Sequence, residues 1–116
     1  MQWIKKGLLF CPDGKSTWNQ RGYAHVVCAD TSYEDKIRLY YSARDNQGRC
    51  QASFIDLDPN NLSKVIYVHP EPILDLGVPG TFDDCGIMPT WFMQNGEEKW
   101  LYYIGWTVRN TIPYHN

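Results

Sequence analysis

Asp83 and Asp84 set two carboxyl groups side by side, shortly after Gly80 and just before the apolar run Ile87 to Met93. Neighbouring residues of a strand point to opposite faces, so only one of the pair would reach a ligand. The alternative is that both shape the turn after Gly80, as aspartates commonly do. His25 stands in the run Tyr23-Ala24-His25-Val26-Val27. Its unperturbed pKa suits a proton carrier or a hydrogen bond to a hydroxyl, while a lone strand histidine also serves structure alone. Arg44 and Asp45 close a strand-like run, where they offer charge-assisted hydrogen bonds to sugar hydroxyls or a plain ion pair at a hairpin end. Trp18, Trp91, Trp100 and Trp106 present apolar rings that either stack on sugar C–H groups or fill the space between sheets. Trp106 is the preferred stacking candidate because it follows Leu101-Tyr102-Tyr103. Asp56 and Asp58 bracket a turn and read as structural.

Composition narrows what these residues can serve. The chain has 116 residues, long enough for a single domain with a real core. It is 43% hydrophobic, which argues against disorder. Aromatic residues reach 15%, suiting an aromatic β core or a sugar-binding surface. The net charge is −2 and the eleven basic residues are scattered, so the basic footprint of a nucleic-acid binder is missing. Leu8 to Cys11 is too short for the apolar core of a signal peptide, and no stretch reaches the ~20 apolar residues of a membrane span. A cytoplasmic protein without a membrane partner is expected. Cys11, Cys28, Cys50 and Cys85 form no Cys-x-x-Cys pair, so free thiols are expected and no metal site. No Gly-rich phosphate cradle or zinc-type histidine pair is present.

The elements that would position these groups read as strands. β-branched and aromatic residues gather in short runs between turn clusters, and no amphipathic helix stands out. The runs are Tyr23 to Ala29, Lys36 to Arg44, Cys50 to Leu57 and Val65 to Val68. In the second, Ile37, Leu39, Tyr41 and Ala43 alternate onto one face. Asp45-Asn46-Gln47-Gly48 and Asp58-Pro59-Asn60-Asn61 are turn sequences. Four short strands joined by tight turns predict an antiparallel meander. The pattern then restarts: Leu39-Tyr40-Tyr41 returns 62 residues later as Leu101-Tyr102-Tyr103. In this second copy Gln94 to Glu98 supplies the hairpin loop. A repeated meander suggests propeller blades, although 62 residues exceeds the ~40–50 of the common blade repeats.

The segment Gly80-Thr81-Phe82-Asp83-Asp84-Cys85-Gly86-Ile87-Met88-Pro89-Thr90, followed by Leu101 to Trp106 and Ile112-Pro113-Tyr114-His115-Asn116, resembles bacterial glycosidase-like proteins of the five-bladed propeller superfamily. Arabinanases, invertases, levansucrases and mannoside phosphorylases are more distant members. The likeness runs from about Trp18 to Asn116 and includes the strand ending Ser42-Ala43-Arg44-Asp45. The resemblance implies an all-β fold, an incomplete five-bladed propeller. One four-stranded blade would span about residues 18–76, and the first hairpin of a second would lie in 77–116, within a single domain 1–116. It further implies a sugar held at one end of the central axis and cofactor-free glycosidase or glycoside phosphorylase chemistry. Asp84, with Asp83 beside it, would be the helper carboxylate of the second blade. His25, Arg44, Asp45 and Trp106 would contact the sugar, and a later blade would bring the acid.

Two departures qualify the carry-over. No carboxylate lies between Asp13 and Asp30, where the first blade should supply one, and Val27 stands where the pattern expects a proline like Pro89. A closed propeller needs about four blades or more. The chain is therefore expected to be a truncated, catalytically silent piece, or to complete its sheets as a homo-oligomer through the unpaired edge of the partial blade. The alternative is a non-catalytic sugar-binding or oligomerising β module.

Overall fold

The computed structural model describes residues 1–108 and, as backbone, 113–115. The fold is all-β. Strands β1 (His25–Asp30), β2 (Ile37–Arg44), β3 (Cys50–Asp58) and β4 (Asn61–Val68) form one antiparallel sheet in the order β1-β2-β3-β4. Strands β5 (Ile87–Asn95), β6 (Glu98–Val108) and β7 (Pro113–His115) form a second, in the order β5-β6-β7. Both are open sheets, and among the described residues they do not close into a barrel.

The alternation read in the second strand sets the first core. Tyr41 and Ala43 are buried with Ile55 and Leu57 across the β2–β3 ladder, and Ile37 and Leu39 pack against them. The N-terminal segment, which has no strand of its own, covers this face. Trp18 lies in the core, Phe10 meets the Tyr41 ring edge-on at 5.3 Å, and the Trp18 indole N–H donates to Pro70 O at 3.1 Å. Trp18 is thus a packing residue.

The opposite face of the first sheet meets the second sheet. Tyr40 stacks on Phe92 with ring centroids 6.4 Å apart, and the Ser42 hydroxyl donates to Ile87 O at 2.9 Å. Lys99 of β6 reaches the fully buried Asp30 of β1 at 3.0 Å.

Strand ends shift by a residue in several places, and three differences from the sequence reading are larger. The first strand begins at His25 rather than Tyr23. β4 begins at Asn61 rather than Val65, because Asp58 pairs with Asn61 around the two-residue turn Pro59-Asn60. Asn61 to Lys64 are exposed, so no hydrophobic alternation marks them. The second sheet gains β7, which pairs Pro113–His115 with Trp106–Val108. The edge of β6 expected to be open is covered there, while no described strand pairs its earlier part. Ile112 and Asn116 of the resembling motif lie outside the described residues.

The 62-residue repeat is visible in three dimensions, with β1 and β2 matching β5 and β6. Its register slips by one residue. Tyr40 pairs with Cys28, but Tyr102 pairs with Trp91 rather than Thr90; Ser42 pairs with His25, but Ile104 pairs with Met88 rather than Ile87, and each copy carries its own β-bulge, between His25 and Cys28 and between Pro89 and Trp91.

Candidate functional site

The start of β1, the end of β2, the start of β3, the 77–86 loop and the end of β6 meet at one junction. Its frame is backbone. Cys50 N donates to Cys85 O at 2.9 Å, Cys85 N to Trp106 O at 3.1 Å, and Trp106 N to Gly86 O at 3.0 Å. Cys50 and Gly86 form a parallel bridge.

His25 and Arg44 come together here through the thiol of Cys50. Arg44 pairs with Cys50 in the β2–β3 ladder, and its Nε donates to Cys50 Sγ at 3.2 Å. His25 Nε2 lies 3.9 Å from the same sulfur. A bulge in β1 sets that position, since four residues (His25 to Cys28) face only three on β2 (Tyr40 to Ser42). Val26 inside the bulge has φ +48°, a left-handed backbone strained for a β-branched side chain. Bulges of this kind re-aim neighbouring side chains.

Burial, followed by the positive charge of Arg44, pushes the His25 pKa below its ordinary value of 6.5. The imidazole is therefore neutral at pH 7, able both to donate to and to accept from a hydroxyl. The unfolded chain binds the proton more readily. The His25 contribution to stability is full above pH 6.5 and is lost as the pH falls toward the lower folded pKa. An NMR titration of His25 is expected to give a pKa below 6.5, and Arg44→Ala should move it partly back up. An Arg44→Ala value equal to the parent's would show that the two groups do not sense each other.

The remaining candidates sit as follows. Trp106 is buried in a cluster with Cys50 and Met88, and the Arg44 guanidinium lies 5.7 Å from its ring centre. It is a wall of the junction rather than an open stacking platform. Asp45 is buried and takes a different partner: its carboxylate accepts from Arg49 Nε at 2.7 Å and from Arg49 N at 2.9 Å, closing the turn after β2. Asp83 accepts from the Thr81 hydroxyl at 2.8 Å and from the Tyr103 hydroxyl at 3.2 Å, while Asp84 accepts from Gly80 N at 2.8 Å. Both aspartates thus brace the loop that ends at Cys85. Burial and the neighbouring Asp84 carboxylate raise the pKa of the Cys85 thiol. Among the described residues no group of three or more His, Cys, Asp or Glu could hold a metal ion.

Cys50 is the junction residue that sequence reasoning missed. No motif marks it, and its place depends on the β2–β3 register and on the second sheet. Tyr103 was quoted for the repeat but not as a partner of Asp83. Its signal was the alternation of β6, which puts residue 103 on the face opposite Tyr102.

No family model matches the sequence, and no solved structure matches it. The chain is 34% identical over all 116 residues to two proteins described as uncharacterized, MT1551 of Mycobacterium tuberculosis strain CDC 1551 / Oshkosh and Rv1502 of strain ATCC 25618 / H37Rv. It spans 38% of the length of each of these curated relatives.

Proposed function

We propose that this chain is part of a glycosidase-like, carbohydrate-active five-bladed propeller, with its two sheets as neighbouring blades and the junction as part of a sugar site. The observation that carries the reading is the pair of stacked antiparallel sheets related by a 62-residue repeat, with His25, Arg44 and the Asp83–Asp84 loop gathered at one end. In this reading half-buried His25 and Arg44 bind sugar hydroxyls, Asp84 orients the ring or stabilises charge, and Asp83 holds the loop. Trp106 backs Arg44, and Asp45 fixes the turn that follows it. The proton donor belongs to a further blade, so this chain by itself turns over no aryl glycoside, and no cofactor is called for. Glycoside hydrolysis needs a second carboxyl group across the scissile bond. The protein is placed in the cytoplasm, a reading supported by four cysteines that are all free thiols.

A second reading, a non-catalytic sugar-binding module, is favoured by one observation. The Gly80 N–H and Thr81 O–H of the loop, with the Tyr103 hydroxyl of β6, already engage Asp83 and Asp84. A neutral glycan panel tested by calorimetry separates the cases. Arg44→Ala is expected to weaken any bound glycan by about 10–100-fold, the worth of a charge-assisted hydrogen bond. Asp84→Asn should abolish turnover in an assembled enzyme but change binding only modestly in a lectin-like module. If no neutral glycan binds at millimolar concentration, the sugar site is wrong in both forms.

A further inference from the structure

The cation at the centre of the junction has no counter-charge among the described residues. Arg38 on β2 and Arg49 in the turn after it hold Asp56 at 2.8 Å and Asp45 at 2.7 Å. Arg44, half-buried between them in sequence, forms no such ion pair. Its Nε donates to the Cys50 thiol, and the Trp106 ring lies on its other flank. Burial works against its charge, but the Cys50 thiol and the Tyr23 hydroxyl outweigh burial and hold its pKa above the ordinary value. Tyr23 is 38% exposed, and its ring centre lies 5.6 Å from that of His25. The charge that shifts His25 is the positive one of Arg44, and no carboxylate opposes it. Nearby aspartates are engaged elsewhere: Asp45 by Arg49, Asp83 by Thr81 and Tyr103, and Asp84 by Gly80. Guanidinium, imidazole and phenol thus make a rim that can donate hydrogen bonds and carries one uncompensated positive charge.

We infer that the sugar taken at this junction is a sugar acid, its carboxylate paired with Arg44 beside Tyr23 and His25. The inference rests on the carbohydrate reading and names its substrate class. A ligand seated on the rim removes water from the half-buried guanidinium. Hydroxyl groups alone would then leave a desolvated charge without compensation, which is costly. A carboxylate cancels that charge and matches the planar guanidinium. With Nε held by Cys50, the terminal nitrogens are the ones left to meet it. Charge balance selects a carboxylate over a phosphate. His25 is neutral at pH 7, so the rim offers one positive charge, whereas a phosphate ester brings about −1.5 to −2. An amino sugar, being cationic, is repelled.

The test is calorimetry at pH 7 with hexuronic acids beside their parent hexoses: glucuronic acid with glucose, galacturonic acid with galactose, and mannuronic acid with mannose. Acetate and inorganic phosphate are titrated alone. At least one acid is expected to bind about 10–100-fold more tightly than its hexose, the worth of a charge-assisted pair, and more tightly than acetate. Arg44→Ala should erase that preference. Arg44→Lys, which keeps the charge but not the planar fork, should retain part of it. The His25 ring resonances should move as the acid is added. Acids that bind no better than their hexoses overturn the inference and leave the sugar site standing. If neither acids nor hexoses bind, the carbohydrate reading fails and this inference fails with it. Inorganic phosphate bound as tightly as the best acid, or a preference that survives Arg44→Ala, also overturns it. Should Arg44→Ala fail to fold, Arg44→Lys and the His25 resonances of the parent chain decide: an unchanged preference with unmoved resonances places the acid elsewhere.

Discussion

Gly86→Ala is expected to destabilise the chain by about 3–5 kcal/mol, on the scale of the whole stability of a small domain. Gly86 adopts φ +129°, a conformation that L side chains rarely take. A Cβ built there would collide with the Cys50 carbonyl oxygen and lie 2.6 Å from Cys50 N and 2.7 Å from Cys50 C. These are backbone atoms of the first residue of β3, fixed by the β2–β3 ladder on one side and by the Cys50 N–H to Cys85 O bond on the other. Neither neighbour can yield without opening the junction. Gly96 provides the control. It is also left-handed, at φ +61°, but sits in the β5–β6 turn with no atom within 4 Å of the added methyl. Gly96→Ala should therefore cost only the backbone term, about 1–2 kcal/mol. Urea denaturation of the two variants separates steric from conformational cost. Equal midpoints would mean that the close approach of Cys50 and Gly86 does not hold in solution.

The Gly86 contact is also the feature of the candidate site that sequence could least reveal. Local signals carried far in the first sheet: the alternation Ile37, Leu39, Tyr41, Ala43 does face a core, and Asp45 to Gly48 does turn. They failed where burial is absent, as in Asn61 to Lys64, an exposed stretch of edge strand anchored by the Asp58–Asn61 pair and by the Lys64 ion pair to Asp58. They also failed where covering is non-periodic, since nothing in Phe10 or Trp18 says which sheet face it will close. The repeat was legible from Leu-Tyr-Tyr, but its one-residue slip was not, because the pairing register between two strands leaves no compositional mark. At the junction the individual candidates were readable by chemical type, and their company was not. Arg44 and Asp45 are adjacent in sequence yet take separate partners, Cys50 and Arg49. His25 reaches the same sulfur as Arg44 only because a strained bulge intervenes.

Lys99→Met tests the contact that binds the two sheets. Lys99 Nζ donates to Asp30 at 3.0 Å and to the Ser32 hydroxyl at 2.8 Å, and it lies 3.3 Å from the Tyr33 ring centre. The Ser32 hydroxyl in turn donates to Asp30 at 2.6 Å. Asp30 is 0% exposed, so removing the ammonium leaves a buried carboxylate with hydrogen bonds but no counter-charge. Breaking a buried pair costs about 3–5 kcal/mol. The lysine side chain is 35% exposed, which admits some solvent screening and brings the expected loss to about 2–3 kcal/mol. For a domain of this size that lowers Tm by roughly 10 °C. The pH dependence identifies the cause. Burial alone would raise the Asp30 pKa, but the Ser32 hydrogen bonds and then Lys99 outweigh it and hold the carboxyl below its ordinary value of 3.8. The unfolded chain therefore takes up the proton first. The stability that Asp30 contributes is present above pH 3.8 and is lost as pH falls through the lower folded pKa. Without Lys99 that depression shrinks, so the gap between parent and variant should be widest at pH 7 and should close in acid. Asp30→Asn in the Lys99→Met background removes the stranded charge and should recover part of the loss at pH 7. A gap that is constant with pH, or no recovery in the double variant, would assign the effect to lost packing on Tyr33 and Phe92 instead.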